Sequence, residues 1–213
     1  FHPADAAKNS VRQGNALNLY TPDRMLLEVE IANQWLDAFN GPQERSFAYP
    51  CSNLILGNYG IVNRLLFSLG LRNTRLPAWV ESRGLDIYST RYNYAALLHG
   101  LVVAARGTGL YMSDTAPELG NFDRFNLPSP AVDGHSFEQI KGYIERSLKC
   151  GSWAILQFHG VGGGHRMDCN ANDFHQLITW IAKNHADLVC TVADGAQRLL
   201  LNSEKQCVEP RHA

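Results

Sequence analysis

The chain has 213 residues, a formal net charge of −1, 45% hydrophobic residues and 18% charged residues. That is the length of one domain with ample material for a core, and a near-neutral chain without a block of like charge gives no electrostatic case for nucleic acid or an anionic membrane as the main partner. No stretch approaches the roughly 18 apolar residues of a membrane-spanning helix, and the start, Phe1-His2-Pro3-Ala4-Asp5, has neither the basic nor the apolar region of a signal peptide.

Thr21-Pro22 is a helix start, a capping side chain followed by proline at the first helical position. Met25, Val29, Ala32, Leu36 and Phe39 then recur at four- and three-residue spacing, and Asn40-Gly41 stops the run. Ser46 to Tyr49 reads as a short strand ended by Pro50. A helix is expected over Gly60 to Leu69, closed by Gly70, and residues 71–91 read as irregular. Tyr94 to His99 is expected to be helical and to lead into an apolar strand at Leu101 to Ala105.

A polar loop rich in Gly, Pro, Asn and Asp occupies about 107–135. Ser136, with Gln139 three residues on, is a capping-box pattern, and Phe137, Ile140, Ile144 and Leu148 give that helix an apolar face. Trp153 to Phe158 is an apolar run with one Gln, the pattern of a strand buried on both faces. Asn170 opens a further helix with Phe174, Leu177, Ile178 and Ile181 on one side. Leu188 to Val192 reads as another buried strand and Ala193 to Leu201 as a last helix. Five cysteines (51, 150, 169, 190 and 207) show no CxxC spacing, which argues against a zinc ribbon. Their odd number leaves room for one or two disulfides and at least one free thiol.

Alternating helices and short apolar strands, with no hairpin signal between them, predict an α/β fold with a parallel sheet wrapped by helices. Four or five strands make either an open sheet or a barrel whose first strands lie outside this sequence; a chain that starts at Phe1 rather than at methionine favours the barrel.

Three segments carry candidate chemistry: Phe1-His2-Pro3, Arg45 to Cys51 (Arg-Ser-Phe-Ala-Tyr-Pro-Cys), and Leu156-Gln157-Phe158-His159-Gly160. His159 closes a buried strand, and in barrels of parallel strands chemistry collects at the strands' C-terminal ends. A His there reads as a general acid or base, as a metal ligand, or as a hydrogen-bonded structural side chain. The glycines at 160 and 162–164 lack a following Lys-[Ser/Thr], so they read as a flexible turn rather than as a phosphate loop.

In this order the segments resemble the polysaccharide deacetylases of carbohydrate esterase family 4. Leu156-x-x-His159 is similar to that family's fifth motif, Arg45 to Cys51 to its third in a Phe-Ala-Tyr-Pro form, and His2-Pro3 to the tail of its second. The resemblance implies a distorted (β/α) barrel of parallel strands, with residues 1–213 forming one catalytic domain that is incomplete at its N-terminus. It implies a divalent metal, usually zinc, with His2 as a ligand, and a metal-assisted hydrolysis that removes N-acetyl (less readily O-acetyl) groups from a polysaccharide. His159 would be the general acid. Arg45 or Arg106 would hold a catalytic carboxylate, the backbone N–H at Cys51 would bind the oxyanion, and Tyr49, Pro50 and Leu156 would shape the acetyl pocket.

The sequence contains no Thr-Phe-Asp-Asp, so the metal-binding and base Asp of the first motif have no counterpart in it. A separate N-terminal segment is therefore expected to complete the barrel. Asp133 is the nearest stand-in for the fourth motif's Asp, although beside Gly134 it reads first as a turn residue. The family implies an extracellular or cell-envelope location. The competing function is a non-catalytic, carbohydrate-binding relative without the metal site. A different α/β hydrolase built on His159 lacks the Gly-x-Ser-x-Gly elbow it would need.

Overall fold

The computed structural model of the chain describes residues 16–107, 111–114, 116, 123–164 and 167–208, without the side chains of Cys51 and 201–208. His2 and His165 lie outside the described residues. Two compact units make up the chain: one joins the N-terminal residues through Gln43 to Tyr49–Leu101, and the other joins Glu44–Ala48 to Val102–Ala213.

The first unit contains α1 (Pro22–Asn40), α2 (Ile61–Ser68), α3 (Leu76–Ser82) and a two-stranded antiparallel pair, β2 (Ile55–Leu56) with β3 (Tyr92–Asn93). The Thr21 hydroxyl caps α1 by accepting from Arg24 N, as its sequence indicates. Met25 and Val29 are buried, but Leu36 and Phe39, expected on the same face, are 42% and 72% exposed, and Phe39 packs edge-on against Trp35. Residues 71–91 are not irregular throughout. They hold α3, whose Pro77 sits in the first turn, where the missing N–H is no loss.

Asp86, buried, fastens the start of α2. Its carboxylate accepts from Gly60 N at 2.8 Å, Asn63 N at 2.9 Å and Asn63 Nδ2 at 3.0 Å. The two backbone N–H groups belong to the start of the helix and would otherwise lack a partner, and a negative charge meets them where the helix dipole favours one.

The second unit is a mixed α/β assembly. β1 (Ser46–Ala48) pairs in parallel with β4 (Ala104–Arg106), with Ala48 opposite Arg106. Parallel bridges continue the arrangement from Arg106 to Leu127 and from Ala131 to Gln157. α4 (Phe137–Lys149), α5 (Ala171–Asn184) and α6 (Val192–Val208) complete the unit. The capping box of Ser136 and Gln139 is formed, and the Asn170 side chain caps α5.

The stretch 153–158 alternates between two core clusters. Ala154, Leu156 and Phe158 pack with Val132, Ile140, Ile144 and Leu177, whereas Trp153 and Ile155 lie with Val103, Ala104, Leu127 and Ala196. Alternation is what extended backbone gives.

A closed barrel is not formed by the described residues; the parallel ladder stays small and open. Leu188–Val192, expected as a buried strand, is a 3-10 turn (Ala186–Leu188) leading into α6, with Leu188 and Val189 exposed. Val192 packs against the cluster of Val103 and Ala104, but no described residue covers Leu188 and Val189. Cys150, Cys169 and Cys190 are free thiols. No described helix is long and apolar enough to cross a membrane.

Replacing Asp86 by Ala leaves the Gly60 and Asn63 donors buried without their acceptor. Asp86→Ala is expected to cost about 2–4 kcal/mol, read as a lower urea midpoint at unchanged slope.

Candidate active site at the strand ends

The parallel register decides which side chains meet. Val132 N donates to Gln157 O at 3.0 Å and Gln157 N donates to Pro130 O at 3.0 Å, so the two segments end side by side. Just past that pairing, Val132 to His135 form a turn closed by His135 N donating to Val132 O at 3.0 Å, with Gly134 at φ 67°. Asp133 is thus a turn residue in its backbone. Its side chain, however, reaches across to His159, where Oδ2 lies 2.6 Å from Nδ1.

His159 has a partly exposed side chain (31%), whereas that of Asp133 is more buried (16%). The second carboxylate oxygen, Oδ1, is buried and has no hydrogen-bond partner among the described residues. Gln157, on the same face of the extended stretch as His159, brings its amide nitrogen to 2.9 Å from Nε2. An amide N–H donating to Nε2 and a carboxylate accepting from Nδ1–H together select the neutral tautomer protonated at Nδ1.

Behind His159, Gly162, Gly163 and Gly164 have φ of 77°, 116° and 102°. A side chain is disfavoured at three such residues in succession, and this is the physical reason for the glycine run. The turn is pinned by Cys169 N donating to Gly160 O at 3.0 Å and Gly162 N donating to Cys169 O at 2.9 Å. Burial pushes the Cys169 thiol above its ordinary range, with Asp173, Asp133 and Asp168 adding to the effect, so it stays neutral.

Arg106 ends β4 and donates from Nη1 to the buried Ser129 hydroxyl at 3.2 Å, not to a carboxylate; burial lowers its pKa. Arg45 is half-buried, and its carbonyl accepts from Val103 N at 2.8 Å. Neither arginine reaches Oδ1 of Asp133. Leu156 belongs to the core packed under α4 and α5, on the face opposite Gln157 and His159.

Tyr49, Pro50 and Cys51 lie in the first unit. Tyr49 is buried edge-on against Tyr94, and Pro50–Ser52 form a 3-10 turn with Ser52 at φ 56°. Among the described residues, no three His, Cys, Asp or Glu side chains converge to hold a metal ion. The described side chains therefore do not by themselves compose the metal site that the sequence resemblance implies.

Asp133 stands in the sequence as the nearest counterpart of the fourth motif's Asp, but read first as a turn residue; Gln157 was not singled out as a site residue, although it is the one polar residue in an otherwise apolar run. No family model, curated protein or solved structure matches the chain.

The contact predicts a spectroscopic signature. In nitrogen-15 spectra of the neutral side chain, His159 should carry its proton on Nδ1. Asp133→Ala should let the two tautomers mix; an unchanged tautomer ratio in that variant would show that the carboxylate does not orient the ring.

Proposed function

We propose that the chain belongs to a hydrolase that removes acetyl groups from a polysaccharide, with His159 as general acid and Asp133 as its orienting partner. The observation that carries this is the 2.6 Å contact between Asp133 Oδ2 and His159 Nδ1 at the ends of adjacent parallel segments. The Leu-x-x-His and Phe-Ala-Tyr-Pro segments support the same assignment through their resemblance to carbohydrate esterase family 4.

Acetamide hydrolysis passes through a tetrahedral intermediate that cannot expel an unprotonated amide nitrogen. As imidazolium, His159 transfers its Nε2 proton to that nitrogen while the C–N bond breaks; acetate and the free amine leave. Asp133 stabilises the imidazolium and holds Nδ1, so that Nε2 is the nitrogen offered to substrate. The Gln157 amide now beside Nε2 must turn aside, or present its oxygen, when that proton is in place. For an N-acetyl substrate, the leaving nitrogen takes the position the Gln157 amide holds.

A divalent metal, zinc by resemblance, belongs to the same proposal; when bound, it would polarise the acetyl carbonyl and acidify a water. His2 is the residue of this sequence offered as its ligand. A polysaccharide is the proposed partner, and the extracellular or envelope location goes with it.

His159→Ala is expected to lower kcat by about 10²–10⁴ on an acetylated oligosaccharide, with bound metal unchanged. The basic limb of the pH–rate profile should vanish with it. His2→Ala should instead lose the metal. Metal lost from His159→Ala, or a near-normal kcat, contradicts the assignment.

A further inference from the structure

The first unit contains a polar cleft of about 910 Å³ that the chemistry above does not use. Its lining includes three arginines, Arg64, Arg72 and Arg91, and no acidic residue among the described residues. Arg91 is held rigidly: Nε lies 2.6 Å from Glu81 Oε1, and its guanidinium stacks 3.9 Å above the Tyr59 ring. Tyr59 meets Phe67 edge-on, and Arg72 lies over the far ring at 5.3 Å. Arg64 donates from Nε to Gly60 O at 3.2 Å, and neither Arg64 nor Arg72 has a carboxylate partner among the described residues. Two guanidinium groups in one concavity therefore stand without a carboxylate partner among the described residues.

The wall is built closely. Gly57 (φ 72°) is approached so tightly that a Cβ there would fall 2.0 Å from Thr90 O, and Asn58 N donates to Thr90 Oγ1 at 2.9 Å. On the rim, Ser89 N donates to Asp86 O at 3.0 Å, closing a turn whose third residue is Tyr88 at φ 58°. Turns of that kind take glycine or asparagine at this position. A tyrosine there is strained, and 79% of it is exposed. A bulky aromatic kept where glycine would be easier, beside uncompensated arginines, is the pattern of a binding surface.

We infer that this cleft binds an anionic saccharide. Arg64 and Arg72 would pair with a carboxylate or sulfate on the sugar, Tyr88 would offer its ring to a sugar face, and asparagine amides would meet the hydroxyls. The guanidinium fork matches such planar or branched anions with two parallel hydrogen bonds. The saccharide part of the inference rests on the proposed function; the anionic part rests on the arginines alone.

Calorimetric titration of the full chain tests it, with trigalacturonate, its fully methyl-esterified form, a heparin-derived oligosaccharide and inorganic sulfate as probes. One or both acidic oligomers should bind, and the one that does identifies the anion. The neutral ester should bind at least about tenfold more weakly, and added salt should weaken the acidic oligomers further. An Arg64→Gln/Arg72→Gln variant that keeps its circular dichroism should lose about tenfold or more in affinity. Tyr88→Gly should weaken binding without lowering the melting temperature, because it relieves the backbone. Equal affinity for ester and acid, undiminished affinity in the double variant, or sulfate alone binding as tightly as the oligomers overturns the inference. Acidic-oligomer binding without deacetylation refutes only the proposed reaction; deacetylation without that binding refutes only this inference.

Discussion

Asp133 touches His159 because Ala131 and Gln157 are paired in parallel register. Two backbone hydrogen bonds, Val132 N to Gln157 O and Gln157 N to Pro130 O, set that register. Two residues past the pairing, the turn after Val132 presents Asp133 on one side and the other segment presents His159. A slip of one residue would turn Gln157 and His159 to the opposite face and bring Leu156 and Phe158 toward Asp133. The core guards against the slip: Ala154, Leu156 and Phe158 are packed against the buried residues of α4 and α5, and Ile155 against Ala104 and Leu127. Apolar packing thus fixes the geometry of a polar pair that sits at its edge.

The same pairing orients the ring. One carboxylate oxygen of Asp133 lies 2.6 Å from Nδ1, and the other is buried without a partner among the described residues. Burial of Asp133 relative to His159 keeps the carboxylate away from solvent and leaves the ring's outer nitrogen toward it. The Gln157 amide nitrogen lies 2.9 Å from that outer nitrogen.

Signals confined to a few neighbouring residues were legible in the sequence. Thr21-Pro22, Ser136 with Gln139, and Asn170 each cap the helix they announce, since capping is settled within one turn of backbone. What depends on distant partners was less legible. Leu188 and Val189 are apolar enough for a buried strand, yet they are exposed, because nothing among the described residues covers them. Leu36 and Phe39 keep helical spacing on α1 and still face outward. Pro77 begins a helix in a stretch without other start signals. Asp133 shows both halves of the lesson: Asp-Gly is a turn, as its local chemistry dictates, while the His159 contact is made 26 residues away and leaves no mark in the local sequence.

On the proposed reading, Asp133 and His159 act as one unit in an acyl-transfer step, which a double-mutant cycle on kcat with Asp133→Asn, His159→Gln and the pair measures. With Asp133 acting only through His159, the double variant should be no slower than His159→Gln alone. Losses that add in free energy, with each substitution slowing the reaction equally whether or not the other is present, would contradict it.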